Sequence, residues 1–323
     1  VAPGSWWRLD PVIDPSGTLV GQSLAAGGRD GREFRLALPP ESFAAGPTSG
    51  SVVIGADDGS RSRLSILEPG TGCIRPVATE RAVVRRAVID PAGTAIVEFR
   101  VDRTTRADLG VWRRPVDGSG AVERILGAIA PDPRFGETWV TDLAWTDDGR
   151  LAVTSCGAAA CRTRLLSDEG RVTLIDDPDL GEPLGFAGHE LLSYLACRGL
   201  PCPIEAVDLD DGSRRRIVAA AGVGALMAAG GDTGAAIVHE PLDRPAEAGR
   251  VVELVPLDGS AARRVTLDDD STPVGTPGRS RSAIELEPGT LALDAGGRVG
   301  SLRTVTILRP DQARPMPAQE VLR

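Results

Sequence analysis

An acidic residue followed at once, or one residue later, by a glycine recurs along this chain between pairs of apolar, strand-like runs. It reads Glu68-Pro69-Gly70, Asp117-Gly118, Asp168-Glu169-Gly170, Asp210-Asp211-Gly212 and Asp258-Gly259, at intervals of roughly 40 to 50 residues. A second phrase precedes it with the same period: Val12-Ile13-Asp14-Pro15-Ser16-Gly17-Thr18, then Val88-Ile89-Asp90-Pro91-Ala92-Gly93-Thr94, with weaker copies at Trp145-Thr146-Asp147-Asp148-Gly149 and Glu287-Pro288-Gly289-Thr290. Two turn signals per period, each between β-forming runs, describe a module of four short antiparallel strands. Repetition of such a module describes a β-propeller.

The clearest module runs from Arg81 to Leu126. Ala82 to Ile89 reads as a first strand, Thr94 to Phe99 as a second, Gly110 to Val116 as a third and Ala121 to Leu126 as a fourth. The blades expected on this pattern are 5–45, 46–80, 81–127, 138–176, 183–220, 223–268 and 279–323, within one all-β domain covering 1–323. The start is less regular. Glu33 to Leu38 and Leu64 to Leu67 both read as third strands and lie close together for two complete blades, so seven blades are expected, with six plus an extra N-terminal strand pair as the alternative. No segment keeps an apolar i, i+3, i+4 rhythm free of glycine and proline, which speaks against helical layers.

Composition narrows the chemistry. All 36 basic residues are arginine, and asparagine is absent too. Without lysine there is no usual phosphate-binding P-loop and no Schiff base. A net charge of −9 argues against nucleic acid or an anionic membrane as partner. Ile217 to Gly231, as long as any uncharged stretch in the chain, is short of the ~18 apolar residues of a membrane helix and reads as two strands and a linker. The chain opens at Val1 without Met, apolar leader or small-residue cleavage site, so any signal peptide or anchor is expected to have been removed before this numbering begins.

Strand, Asp-Pro-x-Gly turn, strand, then a strand ending in Asp-x-Gly resembles the repeats of TolB-type propellers, a branch of the WD-like propellers. The resemblance covers Arg81 to Leu267 well and the two ends loosely. It implies the fold and an extracytoplasmic, partner-binding role, and it carries over neither a partner nor a catalytic residue. The family's Ser-Pro-Asp-Gly phrase is replaced here by Asp-Pro-Ala-Gly or Asp-Asp-Gly, and the α/β domain that precedes the propeller in TolB is absent from this sequence.

Four of the five cysteines form matched pairs, Cys156 with Cys161 and Cys197 with Cys202. Both fall between the second and third strands of successive modules, where residues closing a four-residue loop can reach disulfide separation. One zinc ion held by four thiolates, or simply reduced thiols, are the alternatives. Disulfides would put the protein outside the reducing cytosol, secreted or on the cell surface. Cys73 is expected as a small buried hydrophobe.

Recognisable catalytic constellations are few. His189 and His239 are each followed by glutamate but lack the second histidine of a zincin, and both are expected on the surface or in loops. No Gly-x-Ser-x-Gly elbow is present, which speaks against an α/β-hydrolase companion in this sequence. Asp208, Asp210 and Asp211 break the alternation of a calcium loop, and Asp268 to Asp270 read as a polar connection. No cofactor is indicated, although calcium held by acids from several blades at the axis stays open. Trp112, Trp139 and Trp145 are expected between blades, and Trp6 and Trp7 in closure of the ring or on a ligand platform.

Arg100, Arg103 and Arg106 form the best binding candidate, as guanidinium groups of one second-to-third-strand loop able to clamp anionic groups. The alternative pairs them with Asp102 and Asp108 on a solvated loop. The expected role is a binding or scaffold module for a protein, an anionic small molecule or a polysaccharide. A calcium-dependent, lactonase-like enzyme at the axial channel and the sensory ectodomain of a membrane-anchored regulator are the alternatives.

Overall fold

The acidic side chains that punctuate the sequence close their own turns. Asp90 Oδ1 accepts the backbone N–H groups of Thr94 and Ala95 at 2.6 and 3.0 Å, and its Oδ2 accepts the Thr94 hydroxyl. Asp14 does the same for Ser16 and Thr18. In both turns the glycine donates to the aspartate carbonyl with φ at +85° for Gly17 and +70° for Gly93, a conformation that costs other residues roughly 1–2 kcal/mol. The short acid and the glycine are therefore both set by local geometry.

In a computed structural model of the chain, the described residues are 6–27, 33–45, 51–69, 71–130, 139–146, 148–157, 161–168, 170–175, 177, 179–195, 201–221, 226–229, 235–239, 241, 251–259 and 261–266, with the short strands 271–273, 282–284, 291–295, 304–308 and 316–317. All regular structure among them is strand. No helix of the described residues is long and apolar enough to cross a membrane.

The first strands are β1 (Trp6–Ile13), β2 (Leu19–Gly27) and β3 (Glu33–Leu38). Next come β4 (Phe43–Ala45), β5 (Val52–Asp57), β6 (Ser62–Glu68) and β7 (Cys73–Glu80), then β8 (Val83–Ile89), β9 (Ala95–Val101), β10 (Asp108–Pro115) and β11 (Glu123–Leu126). They are followed by β12 (Trp139–Trp145), β13 (Leu151–Cys156), β14 (Cys161–Leu166) and β15 (Val172–Ile175), and by β16 (Leu180–Ala187), β17 (Glu190–Leu195), β18 (Cys202–Asp208) and β19 (Arg214–Ala221). The last groups are β20 (Leu226–Ala229), β21 (Ala235–His239), β22 (Val251–Pro256) and β23 (Arg263–Thr266), then β24 (Ser271–Pro273), β25 (Ser282–Ile284), β26 (Leu291–Ala295), β27 (Thr304–Leu308) and β28 (Met316–Pro317).

These strands pair into seven four-stranded antiparallel sheets. Five are built from four consecutive strands in chain order. The last is β24-β26-β27-β28, because β25 leaves it and pairs with β1 to complete the sheet β25-β1-β2-β3. Glu33 to Leu38 is accordingly the edge strand of its sheet and not the third strand that its spacing suggests, since the missing first strand arrives from the far end of the sequence.

Contacts between adjacent sheets centre on the first strand of the following sheet, with β4 and β5 against β8, β8 and β9 against β12, β14 against β16 and β16 against β20. Adjacent sheets thus converge at their starting edges and splay toward their last, the radial packing of a propeller. The apolar core lies between the sheets. One cluster joins Val53 and Leu64 of the second sheet, Val97 and Phe99 of the third and Leu143 and Val153 of the fourth, and others bridge the first sheet to the second and the fifth to its neighbours.

The beat of the sequence also serves this packing. Gly118, with φ +76°, lies so close to the preceding sheet that an added Cβ would meet the Val77 carbonyl oxygen at 2.6 Å. In the same place Arg75 of β7 donates to the Val116 carbonyl at 3.1 Å, and Arg215 of β19 repeats the clasp on Leu257 before the Asp258-Gly259 turn.

Candidate functional site

Arg100, Arg103 and Arg106 do not act as one loop cluster. Arg100 belongs to β9 and is buried beneath the Trp112 ring, its guanidinium carbon 4.8 Å from the ring centroid. Residues 98 and 100 share one face of the strand, and antiparallel pairing puts Trp112 opposite Glu98. Glu98 is fully buried there and receives Arg100 and Arg114, with Arg114 Nη2 at 2.8 Å from its Oε1. Glu80, at the end of β7, pairs with the same two arginines. Two acids and two bases of adjacent sheets thus compensate one another where an unpaired charge would be costly.

Arg103 lies in the β9–β10 loop and binds across to the second sheet. Its Nη1 and Nη2 donate to the two oxygens of Asp57 at 2.8 and 2.7 Å, and its Nε donates to the Arg81 carbonyl at 3.0 Å. Ser62 donates to Asp57 as well, and its oxygen accepts the backbone N–H of Val84. The Arg103 guanidinium holds the Asp57 carboxyl well below the usual carboxylate range, with the Ser62 hydroxyl and the Gly59 N–H adding to the effect. Asp102 caps its own loop by accepting from Thr104 and Thr105, and the alternative pairing with Asp102 and Asp108 gives way to Glu98 on Arg100's own strand and to Glu80 and Asp57 of the neighbouring sheet. Arg106 is exposed at φ +62°.

This latch gathers three segments at one end of the second and third sheets: the β5–β6 loop (58–61), the β7–β8 connection (81–82) and the β9–β10 loop. Strand alternation brings the other second-to-third-strand loops to the same end of their sheets. Among these is the β13–β14 loop, closed by a Cys156–Cys161 disulfide with a Cα separation of 4.0 Å. Cys202, at the matching position of the fifth sheet, is also disulfide-bonded, while Cys197 lies outside the described residues. Cys73 is free and exposed rather than buried, because it opens an outermost strand instead of filling a sheet interface.

His189 lies in the β16–β17 turn with its Nδ1 at 3.8 Å from both Asp148 and Asp210. Arg150 stands beside the same two acids and holds the Asp148 carboxyl down to about 2, with help from the Thr146 hydroxyl. His239 ends β21 and is buried rather than on the surface or in a loop, its Nε2 3.2 Å from Glu253. It opposes Glu253, which opposes Arg264, in a row across three strands. Asp208 Oδ1 accepts from the N–H groups of Asp210 and Asp211, which makes that cluster a hairpin turn. Asp268 to Asp270 lie outside the described residues. On the first strands, Arg85 pairs with Glu41, Arg86 donates to the Thr141 carbonyl and Asp142 is buried. Trp7 is buried and Trp145 packs against the core.

No family model matches the chain, and no curated protein does. Solved structures do. The chain is similar to a TolB-type protein of Agrobacterium tumefaciens, with 15% identity over 82% of this chain and 89% of that one and a TM-score of 0.50. It is similar to the β-propeller domain of the Trilobed protease from Pyrococcus furiosus, with 13% identity, coverage of 85% and 82% and a TM-score of 0.57. A puromycin-hydrolyzing peptidase of Mycobacterium tuberculosis gives a TM-score of 0.59 at 16% identity; the match spans 98% of this chain and 52% of the peptidase, about half its length. These likenesses establish a TolB-like propeller fold.

Proposed function

We propose that this propeller is an extracytoplasmic binding or scaffold module that presents the end of its sheets bearing the second-to-third-strand loops. The observation that carries the reading is the ordering of that end in the free protein: Arg103 ties three segments of two sheets through Asp57 and Arg81, and a disulfide closes the corresponding loop of the next sheet. Loops ordered in advance lose little conformational entropy when a ligand docks. The disulfides and the likeness to a TolB-type protein support a location outside the reducing cytosol.

A photoreactive residue placed at Thr104, beside the latch, should crosslink a component of the cell envelope. The same group at Ser119, in a turn at the opposite end of its sheet, should not. Equal labelling from both positions, or none from Thr104, would remove the case for this face. Mass spectrometry of freshly isolated protein, alkylated without reductant, should count one free thiol, and a count of five would refute the assigned location.

A further inference from the structure

The sequence holds no lysine, so arginine carries nearly all of its basic charge, and nearly every arginine whose side chain is described has a partner. Arg63, Arg85, Arg100, Arg103, Arg113, Arg114 and Arg150 meet carboxylates, as do Arg214, Arg215, Arg216 and Arg264. Arg75 and Arg86 meet carbonyls, Arg124 lies over Trp112 and Arg164 meets Ser155. Arg35, Arg162 and Arg171 also have partners. Among the described residues, the exceptions are Arg61, Arg81 and Arg106, all exposed.

The three exceptions are not scattered. Arg61 closes the β5–β6 loop, where its carbonyl accepts from Asp58 N–H and its own N–H donates to Asp58 Oδ1. Arg81 supplies the carbonyl that Arg103 binds. Arg106 closes the β9–β10 loop, its N–H donating to the Asp102 carbonyl. Each of the three segments joined by the Asp57–Arg103 latch therefore carries one unpartnered guanidinium. The acids of these segments are already committed, Asp57 to Arg103, Asp58 to Arg63 and Asp102 to its loop. A locally positive surface results on a chain whose net charge is −9.

We propose that Arg61, Arg81 and Arg106 form a docking site for an acidic peptide segment of a partner protein, with one guanidinium for each of several carboxylates. This rests on the binding-module reading of the same face and specifies the ligand chemistry. Arginine's planar fork suits carboxylates in particular, and the latch beneath shows that pairing with Asp57. Sugar rings are commonly met by aromatic platforms, and the sequence of 58–61, 81–82 and 102–107 contains no aromatic residue. Peptide carboxylates therefore fit the surface better than a polysaccharide does.

The test is fluorescence anisotropy with a labelled dodecapeptide of alternating Glu and Ser, against the whole chain at low and at physiological salt. The wild type should bind and should weaken steeply as salt rises. The variant R61A/R81A/R106A should bind roughly tenfold more weakly with an unchanged thermal midpoint, since none of the three side chains supports the fold. Peptide binding that survives the triple substitution would overturn the site. A wild type that ignores the peptide but takes sulfated dextran would overturn the ligand class. If neither probe binds while Thr104 still crosslinks an envelope component, the acidic-peptide proposal fails and the reading of the face stands.

Discussion

At the scale of single residues, the Asp57–Arg103 pair ties the loop end of the second sheet to that of the third. Asp57 is buried and Arg103 about three-quarters buried at the side chain, so charge-assisted bonds there are stronger than at an open surface. Replacing Asp57 by Asn removes the carboxylate but keeps the volume, and should cost about 2–3 kcal/mol in urea unfolding. Because the folded-state pKa of Asp57 lies below its unfolded value, its contribution is fully present above about pH 4 and falls away as the pH drops toward the folded value. The stability difference between wild type and D57N should therefore shrink on acidification. A difference that held constant from pH 6 to pH 2.5 would show that the carboxylate is not the source. None of this was legible in the sequence, because Arg103 and Asp57 lie 46 residues apart. The local alternative paired the arginines with Asp102 and Asp108, whereas Asp102 accepts from the backbone of its own loop and tertiary packing brings Asp57 to Arg103. Arg61 and Arg81 went unnoticed for a related reason: an arginine is informative by lacking a partner, and partners here come from other strands and sheets.

At the scale of the element, the turns were legible because their chemistry is local, an acid accepting backbone N–H groups and a glycine at positive φ. Their second role was not. Gly93 and Gly118 read alike in the sequence, yet a Cβ at Gly93 meets nothing within 4 Å while one at Gly118 runs into the Val77 carbonyl. Gly93→Ala should therefore cost only the left-handed conformation, about 1 kcal/mol. Gly118→Ala should cost clearly more, about 2–4 kcal/mol once the steric conflict is added, and thermal unfolding of the two variants side by side reads the difference. Equal losses would mean that the turn does not seat on the neighbouring sheet. The Cys156–Cys161 hairpin was legible as well, since its register depends only on the loop between two adjacent strands. Removing it as C156S/C161S should cost about 2 kcal/mol for so short a loop, with loss of protection concentrated at the ends of β13 and β14.

At the scale of the whole molecule, the repeats announced the propeller but not the way its ends meet. The first module supplies only β1, β2 and β3, and its remaining edge comes from β25, where Trp6, Trp7 and Arg8 pair with Ile284, Ala283 and Ser282. Three residues without a period of their own leave no sequence signature, which is why Glu33 to Leu38 reads as a third strand. Physically, that pairing converts a row of sheets into a closed ring, so that the first sheet gains backbone hydrogen bonds from the opposite end of the sequence. Apolar contacts of Trp7 with Leu24 and with Val52 and Ile54 of the second sheet hold β1 from its other side. Truncation after residue 278 would then take away the seam and leave the Trp7 packing in place. Hydrogen exchange of the truncated chain should show early loss of protection at Trp6 to Arg8, while β9 and β13, packed between sheets far from the seam, keep theirs. Protection of β1 that survives truncation would mean that the ring is not joined through β25, whereas simultaneous loss at β9 and β13 would mean that closure stabilises every sheet and not only the one it completes.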